Sequence, residues 1–523
     1  MAKISRMLTD INSKVAQVKM DIINVYLTDQ RPWIIGYSGG KDSSTVVQLV
    51  LEAIQEIPPE KLTKKIYIVS SDTLVETPLV KFRLESNLKK IDEYGRKMNI
   101  PIYTQLVQPS FENTFWVNII GRGYPTPNQS FRWCTDRLKI EPTNQFITEV
   151  VDQYGEVIML LGVRKGESSS RDRVIDAHSV DDSILMKHTN LRNAYVFSPI
   201  LNFSVDDVWQ VLLSKKSPWG ADNNELFKLY SDSSSGECPL IVDKSIKETA
   251  GSCGNSRFGC WSCTVVSEDK ALTGFIESGE LWLKELLDFR NWLTEIRDER
   301  NLRMKQRTHG QIYFAKIEEK NGNLIIPSKS RRKKIVIGMD GLDNEGNNWL
   351  IFGAEQEAIE YIKESHIDLS KNGDPRIIAN SRTGYGQLGL GPFTIETRKD
   401  ILHKLLLLQQ RIKSNYEVDY QLIKPEELAE IGRIWINNGD WEDSINKIYN
   451  SVYGEDLFIT KSEVSFIGRT SEDVLERLSK ENNVDLTLIK KLLIIEKNNL
   501  GYNRRDNINK QIKKLLNQDA TQI

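Results

Sequence analysis

Ser38-Gly39-Gly40-Lys41-Asp42-Ser43-Ser44 follows the apolar run Trp33-Ile34-Ile35-Gly36-Tyr37, and its residue types are those of a phosphate cradle. Two glycines permit backbone geometries that aim successive amides at an anion. Ser43 and Ser44 fall at the expected start of a helix reaching Ile57, whose N-terminal dipole and amides favour phosphate. Lys41 adds a point charge, and Asp42 suits capping or a magnesium-water shell. The stretch is not a Walker loop, because Ile35 and Asp42 stand where that motif needs Gly and Ser or Thr. A plain capped turn is the alternative, but tight turns rarely assemble this set of groups.

Other residues of matching chemistry lie at the ends of apolar runs. Asp72 and Thr73 follow KIYIVS, and Arg164 follows EVIMLLGV, at the carboxyl ends of strands where open α/β sheets bind ligands. Arg164 with Lys165 and Arg171 could neutralise phosphates. For Lys165 and Arg173, solvated loop charges are the plainer reading. The five cysteines are an odd number with four crowded between 238 and 263, which is no disulfide framework. Cys260-x-x-Cys263 lets two thiolates reach one centre, and Cys238 and Cys253 can close its other side. Four thiolates suit tetrahedral zinc or a [4Fe-4S] cluster. A thioredoxin-like pair would leave the other two cysteines unexplained. Cys134 sits beside Arg132, Arg137 and Lys139, surroundings expected to lower a thiol pKa. Its alternatives are a packed cysteine beside Trp133 and a cluster ligand in place of Cys238.

These residues need a scaffold, and the hydrophobic pattern supplies one. Short apolar runs (WIIGY, KIYIVS, IPIYTQLV, EVIMLLGV) alternate with helical patterns, predicting an α/β fold with a mostly parallel sheet and crossover helices. The expected organisation is an N-terminal helix over 1–29, an α/β domain with the phosphate-type loop over 30–213, a cysteine-rich segment over 214–300 and a mainly helical C-terminal region over 301–523. A chain of 523 residues with 39% hydrophobic content can bury several cores, and a net charge of -2 gives no global basic field. Neither a signal peptide nor a membrane span is visible, so a cytoplasmic protein with no membrane partner is expected. Three features are set aside. TGYGQLG at 383–389 reads as a flexible loop because Pro392 follows where a dinucleotide helix should begin. The basic run at 329–334 reads as a solvated loop. His178, His188, His309, His366 and His403 show no metal-ligand spacing.

SGGKDSS resembles the pyrophosphate loop of the adenine-nucleotide alpha-hydrolase superfamily. SSDTLVETP, RWCTDRLKIEP, GVRKGESSSRDR and SPILNFSVDDVWQVL are similar to its PAPS reductase-like branch. GECPL followed by SCGNSRFGCWSCTVV further resembles the DndC family, the sulfurtransferases of bacterial DNA phosphorothioation. The resemblance implies ATP, magnesium and a [4Fe-4S] cluster as cofactors. It implies a loop of Ser38, Gly39, Gly40, Lys41, Asp42, Ser43 and Ser44 gripping pyrophosphate, with Asp72 and Arg164 beside it and Glu167 holding a cation. The cluster ligands would be Cys238, Cys253, Cys260 and Cys263, and Lys41, Asp42, Cys134 and Arg164 would be catalytic. The implied partners are DNA, a cysteine desulfurase and other Dnd proteins. A sulfonucleotide reductase is the nearest rival, but that pattern uses an adjacent cysteine pair and a cysteine near the C-terminus, both missing here. A tRNA thiolase and a non-catalytic nucleic-acid-binding scaffold are the remaining alternatives.

Overall fold

The computed structural model describes residues 2–166, 184–188, 191–233, 258–307, 310–327, 334–338, 340–364, 376–457, 469–482, 484–499 and 506–519. The chain divides into two compact units, 1–115 with 127–290, and 116–126 with 291–523. The lead-in helix, the α/β stretch and the cysteine-bearing segment therefore belong to one unit.

That first unit is built on a six-stranded sheet. The apolar runs become β1 (Trp33–Gly36), β2 (Ile66–Ser71), β3 (Ile102–Val107) and β4 (Val157–Leu160), joined by the short β5 (Met186–Lys187) and β6 (Ala194–Phe197). Their order is β3-β2-β1-β4-β6-β5, and only the β5–β6 pair is antiparallel. Alternate side chains leave opposite faces of a strand, and both faces are covered here. Trp33, Ile35, Ile66, Ile68, Ile158 and Leu160 face one core, while Ile34, Val69, Val157 and Met159 face the other. That double burial is why the strands read as continuous apolar runs. Against the first face pack α1 (Ala2–Thr28), α2 (Lys41–Gln55), α3 (Pro78–Met98) and α5 (Val205–Ser214); α4 (Glu141–Tyr154) packs against the second. α6 (Asn223–Asp232) follows α5. β1 lies between β2 and β4, so the strand order reverses there and opens the crevice used for ligands in open sheets.

The second unit is helical from Ile395 onward, but two small sheets precede those helices. One holds Glu318–Lys320, Asn323–Pro327 and Lys334–Ile337; the other holds Phe314–Lys316, Leu350–Phe352, Ile377–Ser381 and Gly384–Leu388. The loop expected at 383–389 is thus a strand paired antiparallel with Ile377–Ser381. Its glycine has a packing cause, since a Cβ on Gly386 would stand 2.8 Å from Phe314 Cβ of the next strand. Within the same unit, Trp116 Nε1 donates to the Leu422 carbonyl at 2.8 Å and Trp435 Nε1 to the Ile120 carbonyl at 2.9 Å, tying the 116–126 segment to the helical part. Among the described residues, no helix is long and apolar enough to cross a membrane.

Candidate functional site

The loop after β1 is closed by its own hydroxyls. Ser38 N–H donates to Ser43 Oγ at 3.2 Å, and Ser43 Oγ–H donates to the Gly40 carbonyl at 3.1 Å. The hydroxyls of Ser38 and Ser43 lie 3.1 Å apart. Gly39 adopts a φ of 73°, a left-handed geometry that glycine takes without cost. α2 begins at Lys41 with no side-chain cap from its N-cap residue Gly40, which leaves the positive end of the helix dipole at the crevice.

Three charges crowd this point. Arg164 Nε donates to Asp42 Oδ1 at 2.5 Å, and Lys41 Nζ lies 3.2 Å from Asp42 Oδ2. Lys41 and Arg164 are both buried. Two cations meet this carboxylate in a low-dielectric setting, where their attraction for an anion is stronger than in water. β4 therefore delivers Arg164 to the loop, as its strand-end position predicts. Lys165 is exposed. Glu167, Arg171 and Arg173 lie outside the described residues.

Sequence reasoning missed two parts of this cradle. Tyr230, at the end of α6, accepts the Lys41 N–H at 3.2 Å, and its ring centroid lies 5.2 Å from Lys41 Nζ. It is wedged edge-on against Trp209 and Phe258. No local pattern could have exposed it, because 189 residues separate the partners. The other is Gly162, just past β4, where a Cβ would stand 2.9 Å from both Asp42 C and Ser43 N. The Ser38–Ser44 loop and the β4 end pack backbone to backbone there, and only glycine leaves the room.

At the end of β2 residues of the sheet's carboxyl edge and of the cysteine segment meet. Asp72 is buried with its carboxylate occupied: Leu74 N–H donates at 2.8 Å, Gln108 Nε2 at 2.9 Å, and Lys81 Nζ lies 3.4 Å away. It shapes the turn after the strand. The next residue, Thr73, lies with its Oγ1 3.3 Å from Cys260 Sγ and 3.0 Å from Glu76 Oε1. Backbone bonds fasten the cysteine segment to the same turn, Thr77 N–H to the Gly259 carbonyl at 3.2 Å and Trp261 N–H to the Val75 carbonyl at 3.0 Å. Lys139 Nζ closes the group at 3.1 Å from Glu76 Oε1. Glu76 and Lys139 are thus further members of the site; Glu76 lies within the SSDTLVETP motif, yet spacing alone gave it no role.

Burial, and then the Glu76 carboxylate, push the Cys260 thiol well up from its ordinary range, with Lys139 and Thr73 pulling the other way. Burial also raises Cys134, and the charge of Cys263 adds to that rise. The lowered thiol pKa expected for Cys134 from its basic neighbours is therefore corrected. Arg132 is exposed, Arg137 Nη1 donates to Asn113 Oδ1 at 3.2 Å, and Lys139 serves Glu76, so burial prevails. Cys134 and the Cys260-x-x-Cys263 pair nonetheless come from separate segments, and Cys263 lies within electrostatic range of both Cys134 and Cys260. Cys238 and Cys253 lie outside the described residues. Among the described residues, no group of three His, Cys, Asp or Glu side chains is arranged to hold a metal ion. By donor type, the thiols of Cys134, Cys260 and Cys263 are of the kind a soft metal prefers.

Residues 32–266, from β1 through this cysteine segment, match the family model of the phosphoadenosine phosphosulfate (PAPS) reductase domain. This stretch, just under half of the chain, is similar to the PAPS reductase domain. An uncharacterized protein of Methanocaldococcus jannaschii is 27% identical over 281 residues, which are 54% of this chain and 45% of that relative. The chain thus spans less than half of the relative's length. Among solved structures, the PAPS reductase of Candida auris in its phosphate complex aligns with a TM-score of 0.27 and 12% identity, covering 39% of this chain and 81% of that one. The U34-tRNA thiolase NcsA of Methanococcus maripaludis, with its [4Fe-4S] cluster, aligns with a TM-score of 0.26 and 12% identity, covering 46% and 80%.

Proposed function

We propose that this chain is an ATP-dependent sulfurtransferase that adenylates a DNA backbone phosphate and replaces one non-bridging oxygen with sulfur. The observation that carries the reading is the end of β2, where Thr73 touches Cys260 one residue after Asp72, on the same sheet edge as the Ser38–Ser44 loop. A phosphate-gripping loop and sulfur chemistry on one edge suit a reaction that couples the two.

In the first step a non-bridging oxygen of the DNA phosphate forms a bond to the α-phosphorus of ATP. The bond from that phosphorus to the β-bridging oxygen breaks, and pyrophosphate leaves. The Ser38–Ser44 loop and the α2 N-terminus receive it, while Lys41 and Arg164 compensate its charge and Asp42 holds both cations or a magnesium-bound water. Adenylation is needed because an oxide is a very poor leaving group. In the second step sulfur at the sulfide level bonds to the DNA phosphorus as the bond to the departing AMP oxygen breaks, so no electrons are exchanged. A [4Fe-4S] cluster, held by Cys260 and Cys263 with further thiolates from Cys134, Cys238 or Cys253, would supply soft iron chemistry suited to sulfur. Thr73 would orient the Cys260 sulfur, and Glu76 with Lys139 would hold the turn that carries it. A cysteine desulfurase is the fitting sulfur source, provided that a dithiol reductant takes its persulfide sulfur to sulfide and is itself oxidised to the disulfide, with other Dnd proteins as partners in a cytoplasmic setting.

The test is reconstitution with ATP, DNA and a cysteine desulfurase under anaerobic conditions, followed by nuclease digestion and mass spectrometry. Phosphorothioate dinucleotides together with AMP and pyrophosphate are the expected products. A thiolated nucleobase in added tRNA, with unmodified DNA, would make the chain a tRNA thiolase instead. DNA binding without AMP formation would leave only the scaffold reading.

A further inference from the structure

The proposed reaction leaves one cation beside the loop without a part. Arg83, on α3, has a side chain only 14% exposed, and its Nε is buried with no hydrogen-bond partner among the described residues. Its ion-pair partner is Glu225, with 3.6 Å between Nη1 and Oε2, and the Glu225 side chain is 71% exposed. A pair of that length and exposure contributes little. Asp222, also in electrostatic range, already caps α6 by accepting the Asn224 N–H at 2.8 Å. Taking a guanidinium out of water with so loose a counter-charge is unfavourable until an anion meets it. The neighbours of Arg83 place it at the Ser38–Ser44 loop. A Cβ on Gly39 would stand 3.3 Å from Cδ1 of Leu84, the next residue of α3. Tyr37 immediately precedes Ser38, Tyr230 accepts the Lys41 N–H at 3.2 Å, and both phenols are within electrostatic range of Arg83. α3 follows β2, whereas Arg164 follows β4, and β1 lies between those strands. The loop that leaves β1 therefore receives one guanidinium from the element after β2 and another from the end of β4.

We infer that Arg83 turns from Glu225 to bind the second phosphoryl group of a pyrophosphate whose first is held at the loop beside Lys41 and Arg164. This rests on the pyrophosphate-releasing step proposed above, and it makes the site selective for a diphosphate over a single phosphate. A guanidinium fork matches two phosphoryl oxygens at once, and such charge-assisted pairs are stronger than neutral hydrogen bonds. Glu225 holds the fork loosely and returns to water when released, so the exchange loses little. The buried charge gains a close, more highly charged partner.

The experiment is titration calorimetry on the full-length protein with magnesium, without ATP or DNA, using inorganic pyrophosphate and inorganic phosphate as separate probes. Wild type should bind pyrophosphate more tightly than phosphate. Arg83→Gln should weaken pyrophosphate binding by roughly tenfold or more and leave phosphate within about twofold, because the loop holds a single phosphate without Arg83. Arg83→Lys keeps a charge without the fork, so it should fall between the two, and it carries the test if the glutamine variant does not fold. Glu225→Gln removes the competing carboxylate and should tighten pyrophosphate binding while leaving phosphate unchanged. Equal weakening of both probes in the Arg83 variants would make Arg83 a structural residue and overturn the inference. Wild-type pyrophosphate affinity in those variants, or wild type that binds both probes equally, would overturn it too, and adenylation and sulfur transfer would still stand. Wild type that binds neither probe would overturn the role of the loop in receiving pyrophosphate as well.

Discussion

Alanine at Gly162 tests the contact between the β4 end and the loop. The added methyl would stand 2.9 Å from Asp42 C and Ser43 N and 3.0 Å from Asp42 O, all backbone atoms that cannot rotate away. Relief requires the loop or the strand end to shift. Overpacking of this kind costs about 1 to 3 kcal/mol. If that cost falls on the loop geometry that receives pyrophosphate, kcat/KM for ATP cleavage should drop about 5- to 150-fold. Whatever part falls on the fold should appear as a lower melting temperature, about 2–4 °C for each kcal/mol in a domain of this size. Gly36→Ala is the control, because its methyl would meet the flexible end of Leu161 at 3.2 Å. It should retain near-normal turnover. Pyrophosphate release is followed with a coupled assay well below both melting temperatures. A folded Gly162→Ala protein with wild-type turnover would show that the loop does not need this geometry for catalysis.

Tyr230→Phe keeps the ring beneath Lys41 but removes the acceptor of its amide. The lost hydrogen bond, on the order of 1 kcal/mol, should raise KM for ATP several-fold with kcat little changed, measured by steady-state kinetics. Anaerobic wild-type protein should carry about four irons and four sulfides per chain, and Cys260→Ser should lower that count sharply by elemental analysis; stoichiometric zinc from iron-replete cells would mean a structural metal site. Asp207 bonds to Ser204 N–H at 2.8 Å and to Lys14 Nζ at 3.1 Å. Burial opposes its ionisation, but the Ser204 bonds and Lys14 hold its pKa below the ordinary value. Its stabilisation is therefore complete above about pH 4 and is lost as pH falls through the lowered pKa. Asp207→Asn should flatten that acid limb in a series of melting temperatures against pH.

How much of this was legible in the sequence depended on how far apart the partners lie. β1 to β4 could be read because burial on both faces leaves them apolar at nearly every position. The Ser38–Ser44 loop could be read because its closing bonds span five residues or fewer. The Phe314–Lys316, Leu350–Phe352 and Gly384–Leu388 strands could not. They are three to five residues long and only partly buried, and a close approach forces glycine into one of them. Tyr230 was out of reach for the opposite reason, being a single residue whose meaning comes from a partner in another element.

Cys134 shows why nearness along the chain misleads about charge. Arg132, Arg137 and Lys139 all fall within five positions of it, yet none governs its thiol, because one faces solvent and the other two bond to Asn113 and Glu76. Lys139 is within electrostatic range of Cys134, and so is Cys263, from a segment fastened to the β2 turn, but burial outweighs both. A buried thiol that resists ionisation is a weak nucleophile on its own. The same burial suits a thiolate that a metal ion stabilises, since a bound cation inverts the local preference for the protonated form. The environment of Cys134 therefore fits cluster ligation beside Cys260 and Cys263 better than it fits a free persulfide carrier, and it makes iron content the property by which a Cys134→Ser variant should first be judged.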